Sequence, residues 1–112
     1  MKVVEKMKLT GNQIMYLLTI KKISTTKHVI RSVDVASQMD YSRASIHKML
    51  GTLKKLNLIE QEYYSSIKLT PLGSRVANGY LKKYEILEKT LEPVVKLPEG
   101  YHLGVCNLIE LM

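Results

Sequence analysis

The strongest constraint on how this chain folds is a pair of short apolar-periodic segments separated by a very tight turn, the second of them free of acids. From Tyr41 to Ile59 there is no Asp or Glu, while Ile46, Met49, Leu50, Leu53 and Leu56 recur at spacings of three and four. That spacing puts all five on one side of an α-helix and predicts a helix over about residues 43–56 that buries this stripe. The opposite face is Ala44, Lys48, Gly51 and Lys55, flanked by Arg43, His47, Thr52 and Lys54. Ser42 is a favourable N-cap for it. Just upstream, Val33, Ala36 and Met39 share one face of a shorter helix capped by Ser32. Asp40, tolerant of the left-handed conformation, stands where the chain must turn. Two helices so joined, the second basic and slim on its outer face, fit a helix-turn-helix.

Charge follows the same division. The 112 residues carry a net +7. Residues 1–59 hold eleven Lys and Arg against three acids, a net +8, whereas residues 60–112 hold six against seven, a net −1. A field so one-sided attracts polyanions, of which nucleic acid is the commonest for a domain of this kind. Ala44 and Gly51 let the second helix approach a surface closely, and Lys48 and Lys55 can neutralise phosphates or reach a guanine edge. Ser42, Arg43, Ala44, Ser45, His47, Lys48 and Lys55 are therefore the candidate contacts to double-stranded DNA. One competing interpretation is an ordinary solvated helix face, since exposed helix faces are commonly rich in lysine; another is a protein-interaction module with no DNA target of its own.

Elsewhere the pattern predicts a first helix over about 11–23, from Ile14, Leu17, Leu18 and Ile20 to Ile23 after the capping residues Thr10, Gly11 and Asn12. Residues 24–28 form a polar connection, and 29–31 a brief extended segment. Asn57 ends the basic helix in a left-handed cap, and 58–62 and 66–69 alternate as a hairpin around Tyr63, Tyr64 and Ser65. Such a wing can lay its tip along the nucleic-acid backbone, with Tyr64, Ser65, Ser66 and Lys68 as candidate contacts. Thr70 and Pro71 open a long helix to about residue 90. Its apolar positions Leu72, Val76, Tyr80, Leu81, Tyr84, Leu87 and Leu91 continue beyond a small core, which predicts contact with a second subunit. After Pro93, Pro98 and Glu99 open a last helix to about residue 111. There His102, Cys106 and Glu110 fall at i, i+4 and i+8 and line one face. Imidazole, thiolate and carboxylate are usual transition-metal donors; the alternative is a Cys106 buried as a small hydrophobe with the other two solvated.

The chain fits one domain in size, which divides into a winged helix-turn-helix over 1–70 and a helical linker with a dimerisation segment over 71–112. The expected fold is mainly α with a small β-hairpin. The apolar run from Ile14 to Ile20 is interrupted by Thr19 and falls far short of the roughly 20 residues of a membrane span. The N-terminus lacks the apolar core of a secretory signal. A single cysteine, Cys106, closes no intramolecular disulfide. These features predict a cytoplasmic protein without a membrane partner. Catalysis is not expected: His28, His47 and His102 are scattered, and there is no nucleophile elbow, phosphate-binding glycine loop or paired-carboxylate site.

From Val29 to Leu91 the chain resembles the iron- and manganese-dependent repressors typified by the diphtheria toxin repressor. The resemblance is carried by Val33-Asp34-Val35-Ala36-Ser37-Gln38-Met39, Ser42-Arg43-Ala44-Ser45-Ile46-His47-Lys48-Met49-Leu50, Leu69-Thr70-Pro71-Leu72-Gly73 and Tyr84-Glu85-Ile86-Leu87-Glu88. Only the last is particular to that family; the others occur in many winged-helix regulators, the metal-independent MarR group included. The resemblance implies a homodimeric repressor on palindromic operators, with Ser42, Ala44 and Lys48 facing DNA and a divalent metal (Fe, Mn or Zn) linking the DNA-binding part to the dimerisation part. Residues 98–106 resemble the start of the dimerisation element, after which the chain ends early. Glu88, His102 and Cys106 match ligand positions, with Glu110 as a further candidate. The pattern departs elsewhere: Tyr84 replaces an expected His, Ile109 and Glu110 an expected Glu-His pair, and Leu9 and Asn12 stand where relatives place Met, Asp or Glu.

Overall fold

The computed structural model describes residues 8–62, 66–91 and 101–111. Three helices come first: α1 (Gly11–Ser24), α2 (Ser32–Met39) and α3 (Arg43–Lys55). A minimal antiparallel hairpin, β1 (Ile59–Glu60) and β2 (Lys68–Leu69), leads to α4 (Pro71–Leu91) and α5 (His102–Leu111). This is the mainly helical winged architecture that the sequence predicts.

Local chemistry fixes most element ends. Thr10 and Gln13 form a reciprocal capping box at α1: Thr10 Oγ1 accepts the Gln13 N–H at 3.2 Å, and Gln13 Oε1 accepts the Thr10 N–H at 2.9 Å. Asp40 terminates α2 in the left-handed region at φ 56°, its N–H donating to the Ala36 carbonyl. Ser42 caps α3 by accepting the Ser45 N–H. At the far end Asn57 has φ 62°, its N–H donates to Lys54 O, and the Leu58 N–H donates to Leu53 O at 3.0 Å. That is a Schellman arrangement with Asn in place of the usual Gly. One cap differs from expectation. Ser32 is the first helical residue of α2 rather than its cap; Arg31 holds the cap position, and its N–H donates to Asp34 Oδ2 at 2.9 Å.

The core is built around α1. Gly11, Ile14, Tyr16, Leu17, Ile20 and Ile23 are all buried. At about 100° per residue they spread over roughly two thirds of the helix circumference, so α1 is covered on several sides rather than along one stripe. It packs against α5, α4, α2 and α3. From α3, Ile46, Leu50 and Leu53 join this core, with Met49 and Leu56 half-buried beside them, as their spacing requires. In α2 the inward valine is Val35, which is fully buried, whereas Val33 is 56 % exposed. The face expected from Val33, Ala36 and Met39 is therefore rotated.

The wing is shorter than the predicted strands but more firmly anchored. Ile59 pairs with Leu69 and Glu60 with Lys68. Ile30, from the brief extended segment before α2, makes an isolated bridge to Ile67, whose N–H donates to Ile30 O at 2.7 Å. Both isoleucines are buried. Along α4, Tyr80, Tyr84 and Leu87 are half-buried against the core of their own chain, and Ile86 is 64 % exposed. In α5, Val105, Cys106 and Ile109 join the same core as α1 and α3. No helix among the described residues is long and apolar enough to cross a membrane.

Candidate nucleic-acid interface

With Ile46, Leu50 and Leu53 inward, α3 turns Arg43, Ala44, Ser45, His47, Lys48, Lys54 and Lys55 outward, and all seven are exposed. Gly51 sits centrally on this face, and a Cβ built there meets nothing within 4 Å. Ser42 is exposed too, but its hydroxyl is engaged, accepting from Ser45 N–H and donating to Ser45 Oγ at 3.0 Å. Its side chain thus serves the helix start first.

Two of the concavities that border the face adjoin α2 and α1. One, of about 560 Å³ between α2 and α3, is lined by Arg43, Ala44 and His47 together with Arg31, Ser32 and Val33. The other, of about 440 Å³, joins Ser45, Lys48 and Thr52 to Asn12, Tyr16 and Tyr41. Tyr41, in the turn between α2 and α3, packs its ring on Tyr16 of α1 at 5.9 Å and 48°. Burial first, then the neighbouring Tyr41, pushes the Tyr16 hydroxyl above its ordinary value. This aromatic pair ties the helix-turn-helix to the central helix. Arg31, Val33, Tyr41 and Asn12 were not among the expected interface residues. Of these, Tyr41 carried a detectable signal, an aromatic side chain in the polar turn between Asp40 and Ser42.

On the wing, Lys68 is exposed and lies directly across the ladder from Glu60. Cross-strand neighbours share a face, so the described base of the wing is close to neutral rather than basic. Of the other expected wing contacts, Tyr64 and Ser65 lie outside the described residues, and Ser66 is half-buried.

The expected metal donors lie away from this face, at the junction of α4 and α5. Glu88 accepts a hydrogen bond from the Tyr101 hydroxyl, and His102 Nδ1 pairs with the Tyr84 hydroxyl. Burial, followed by the Glu88 charge, pushes the Tyr84 hydroxyl well above its ordinary value, so it stays protonated. Cys106 is fully buried, and burial pushes its thiol up to about 11. Glu110 Oε1 accepts the Gly11 N–H at 2.5 Å, placing a carboxylate on the positive end of α1. No three His, Cys, Asp or Glu among the described residues are grouped as metal donors. A transition-metal site needs several converging donors, deprotonated where they are thiols; the side chains as placed do not fit one.

No family model matches the chain. It is 25 % identical over 99 residues to the diphtheria toxin repressor of Corynebacterium jeikeium (strain K411), an alignment covering 88 % of this chain and 41 % of that protein. The chain thus spans about two fifths of that relative's length. Among solved structures, T. acidophilum IdeR is similar with a TM-score of 0.68 at 24 % identity, over 94 % of this chain and 48 % of the other. MepR, a transcription regulator of the Staphylococcus aureus multidrug efflux pump MepA, is similar with a TM-score of 0.56 at 18 % identity, over 90 % and 73 %. What this chain has in common with both structures is the winged-helix fold.

Proposed function

We propose that this chain is a DNA-binding transcriptional regulator that places α3 in the major groove of a duplex. The observation that carries this reading is the open, acid-free outer face of α3. Had the C-terminal segment covered that face, an interaction module would fit better; instead Ala44, Lys48 and Lys55 are exposed and Gly51 has open space above it. The names of two similar proteins, a repressor and a transcription regulator, favour the same reading.

The regulator acts as a homodimer on a palindromic operator, so that two α3 helices enter successive major grooves. Large apolar side chains left exposed on the two C-terminal helices, Ile86 at 64 %, Leu108 at 43 % and Leu111 at 83 %, favour self-association there. Control by a metal is not part of the proposal, because no three donors among the described residues are grouped to hold one.

The test is a selection from random duplexes followed by titration of the recovered sequence across salt concentrations. Neutralising phosphates releases counterions, so log affinity should fall linearly with log salt, with a slope of about −0.9 for each phosphate contact. An enriched half-site sequence, repeated about one helical turn away, is the expected outcome. Failure to bind any duplex, or a flat salt dependence, overturns the reading.

A further inference from the structure

Each of the four side chains that a metal would need is already engaged within the chain. Cys106 is sealed in the core, and Glu110 is spent on the first N–H of α1. The other two are held by tyrosines in a crossed pattern: Tyr84 and Glu88, one turn apart on α4, pair with His102 and Tyr101 respectively. Their rings are layered as well. His102 stacks on Tyr84 at 5.9 Å and 22°, and Tyr101 lies against His102 at 4.4 Å. The Tyr101 carbonyl then accepts the Val105 N–H at 3.1 Å, which carries the arrangement into the first turn of α5.

We propose that Tyr84 and Tyr101 form a metal-free clamp between α4 and α5, two phenol hydroxyls taking the linking role that the resemblance assigns to a divalent ion. An ion bridges two elements by drawing donors from both. Here each hydroxyl joins a group on one element to a group on the other without deprotonation and without a ligand. The position of α5, and of the α1 N-terminus that its Asn107 and Glu110 cover, is therefore set by the sequence alone and does not respond to transition-metal supply. The inference is independent of DNA binding, and its test reads none.

Two measurements on the full chain decide it. In the first, thermal unfolding is followed with EDTA and then with excess Mn²⁺ or Zn²⁺. Binding to the folded state alone, at a hundredfold excess over Kd, raises Tm by roughly ten degrees for a domain of this size. The expected result is no rise. A rise that disappears in Glu88→Gln or His102→Gln overturns the proposal. In the second, hydrogen exchange compares wild type with Tyr84→Phe, Tyr101→Phe and the double variant. Losing a net hydrogen bond of ordinary strength should speed exchange of the Val105 and Cys106 amides roughly three- to tenfold. The α3 amides should keep wild-type protection, which also shows that the variants fold. Unchanged exchange at Val105 and Cys106 in the double variant overturns the clamp. His102→Gln, which keeps an acceptor for Tyr84, should exchange more slowly there than His102→Ala.

Discussion

The Thr70 hydroxyl donates to the Asn57 carbonyl at 2.7 Å, and the same oxygen accepts the Gly73 N–H at 2.8 Å. One buried side chain thus joins the left-handed end of α3 to the start of α4 and closes the wing at its base. Thr70→Ala removes the N-cap and leaves the Asn57 carbonyl without this donor. A lost cap costs about 1 kcal/mol and a buried unpaired group about 1–3 kcal/mol. A loss of about 2 kcal/mol is expected in urea unfolding, with an unchanged slope; Thr70→Ser should recover most of it.

Two glycines should respond to alanine with opposite signs. At Gly73 a Cβ would lie 1.9 Å from the Leu58 carbonyl oxygen, a backbone atom that moves only if α4 separates from the wing. Gly73→Ala should therefore destabilise by about 3 kcal/mol, the upper part of the overpacking range. Gly51 is mid-helix with open space around it, so Gly51→Ala should stabilise by up to about 1 kcal/mol. If α3 docks closely on a duplex, that same variant binds more weakly while melting higher. Paired unfolding and duplex titration measure both.

Lys48 and Lys55 occupy the same face two turns apart and should separate in their effects. Lys48 is central, beside Ser45 and Thr52 in the smaller concavity, where a side chain can reach a base edge. Lys55 ends the helix, where a phosphate is the nearer target. Lys48→Ala should relax sequence preference, with about 1–3 kcal/mol lost on the preferred site only. Lys55→Ala should weaken all duplexes alike and reduce the salt slope by about 1. Competition titrations over a panel of single-base variants distinguish the two.

What the sequence made legible was what is local. The α3 stripe, the left-handed Asp40 and Asn57, and the Thr70-Pro71 start each depend on residues within a turn of one another, and the structure keeps them all. The α2 face was not legible, because in an eight-residue helix Val33 and Val35 both fit helical spacing with Met39 or its neighbours. Only α1 and α3 decide which valine is covered. Tyr16 escaped for a related reason: a helix enclosed on several sides loses the periodicity that marks a buried face. The donor line His102, Cys106 and Glu110 was correctly placed along one helix. What surrounds it is tertiary, since Tyr84 and Gly11 lie 18 and 99 residues away from their partners in sequence.

Asp34 gives a modest dependence on acid. Its carboxyl is held below the usual value near 3.8, first by the hydrogen bond from the Lys27 ammonium at 2.8 Å and next by the Arg31 N–H. A carboxyl with a lowered folded-state pKa contributes stability above its unfolded value and loses it as pH falls through the folded one. The contribution is thus complete above about pH 4 and disappears below it. Lys27 is 52 % exposed and Asp34 20 %, so the pair remains in contact with solvent, is worth about 0–1 kcal/mol and shrinks with salt. Comparing unfolding of wild type and Asp34→Asn from pH 6 to pH 2 should show two curves that converge at the acid end.

Cys106 predicts the opposite limb. Its thiol is fully buried and pushed by burial from 9.0 to about 11. Because the raised value belongs to the folded state, the contribution is present below pH 9 and is lost as pH rises toward 11. In that window the unfolded chain ionises its thiol while the folded chain cannot. Wild type should therefore lose stability across it faster than Cys106→Ala, and the two should run parallel at lower pH. The same burial protects the sulfur from chemistry, since the thiolate is the reactive form and the folded chain holds the neutral one away from solvent. Iodoacetamide at neutral pH should label the native chain only at the rate of opening and label it fully in denaturant. Rapid labelling of the folded protein would mean that α5 spends much of its time detached from α1, and with it the Glu110 carboxylate that covers Gly11.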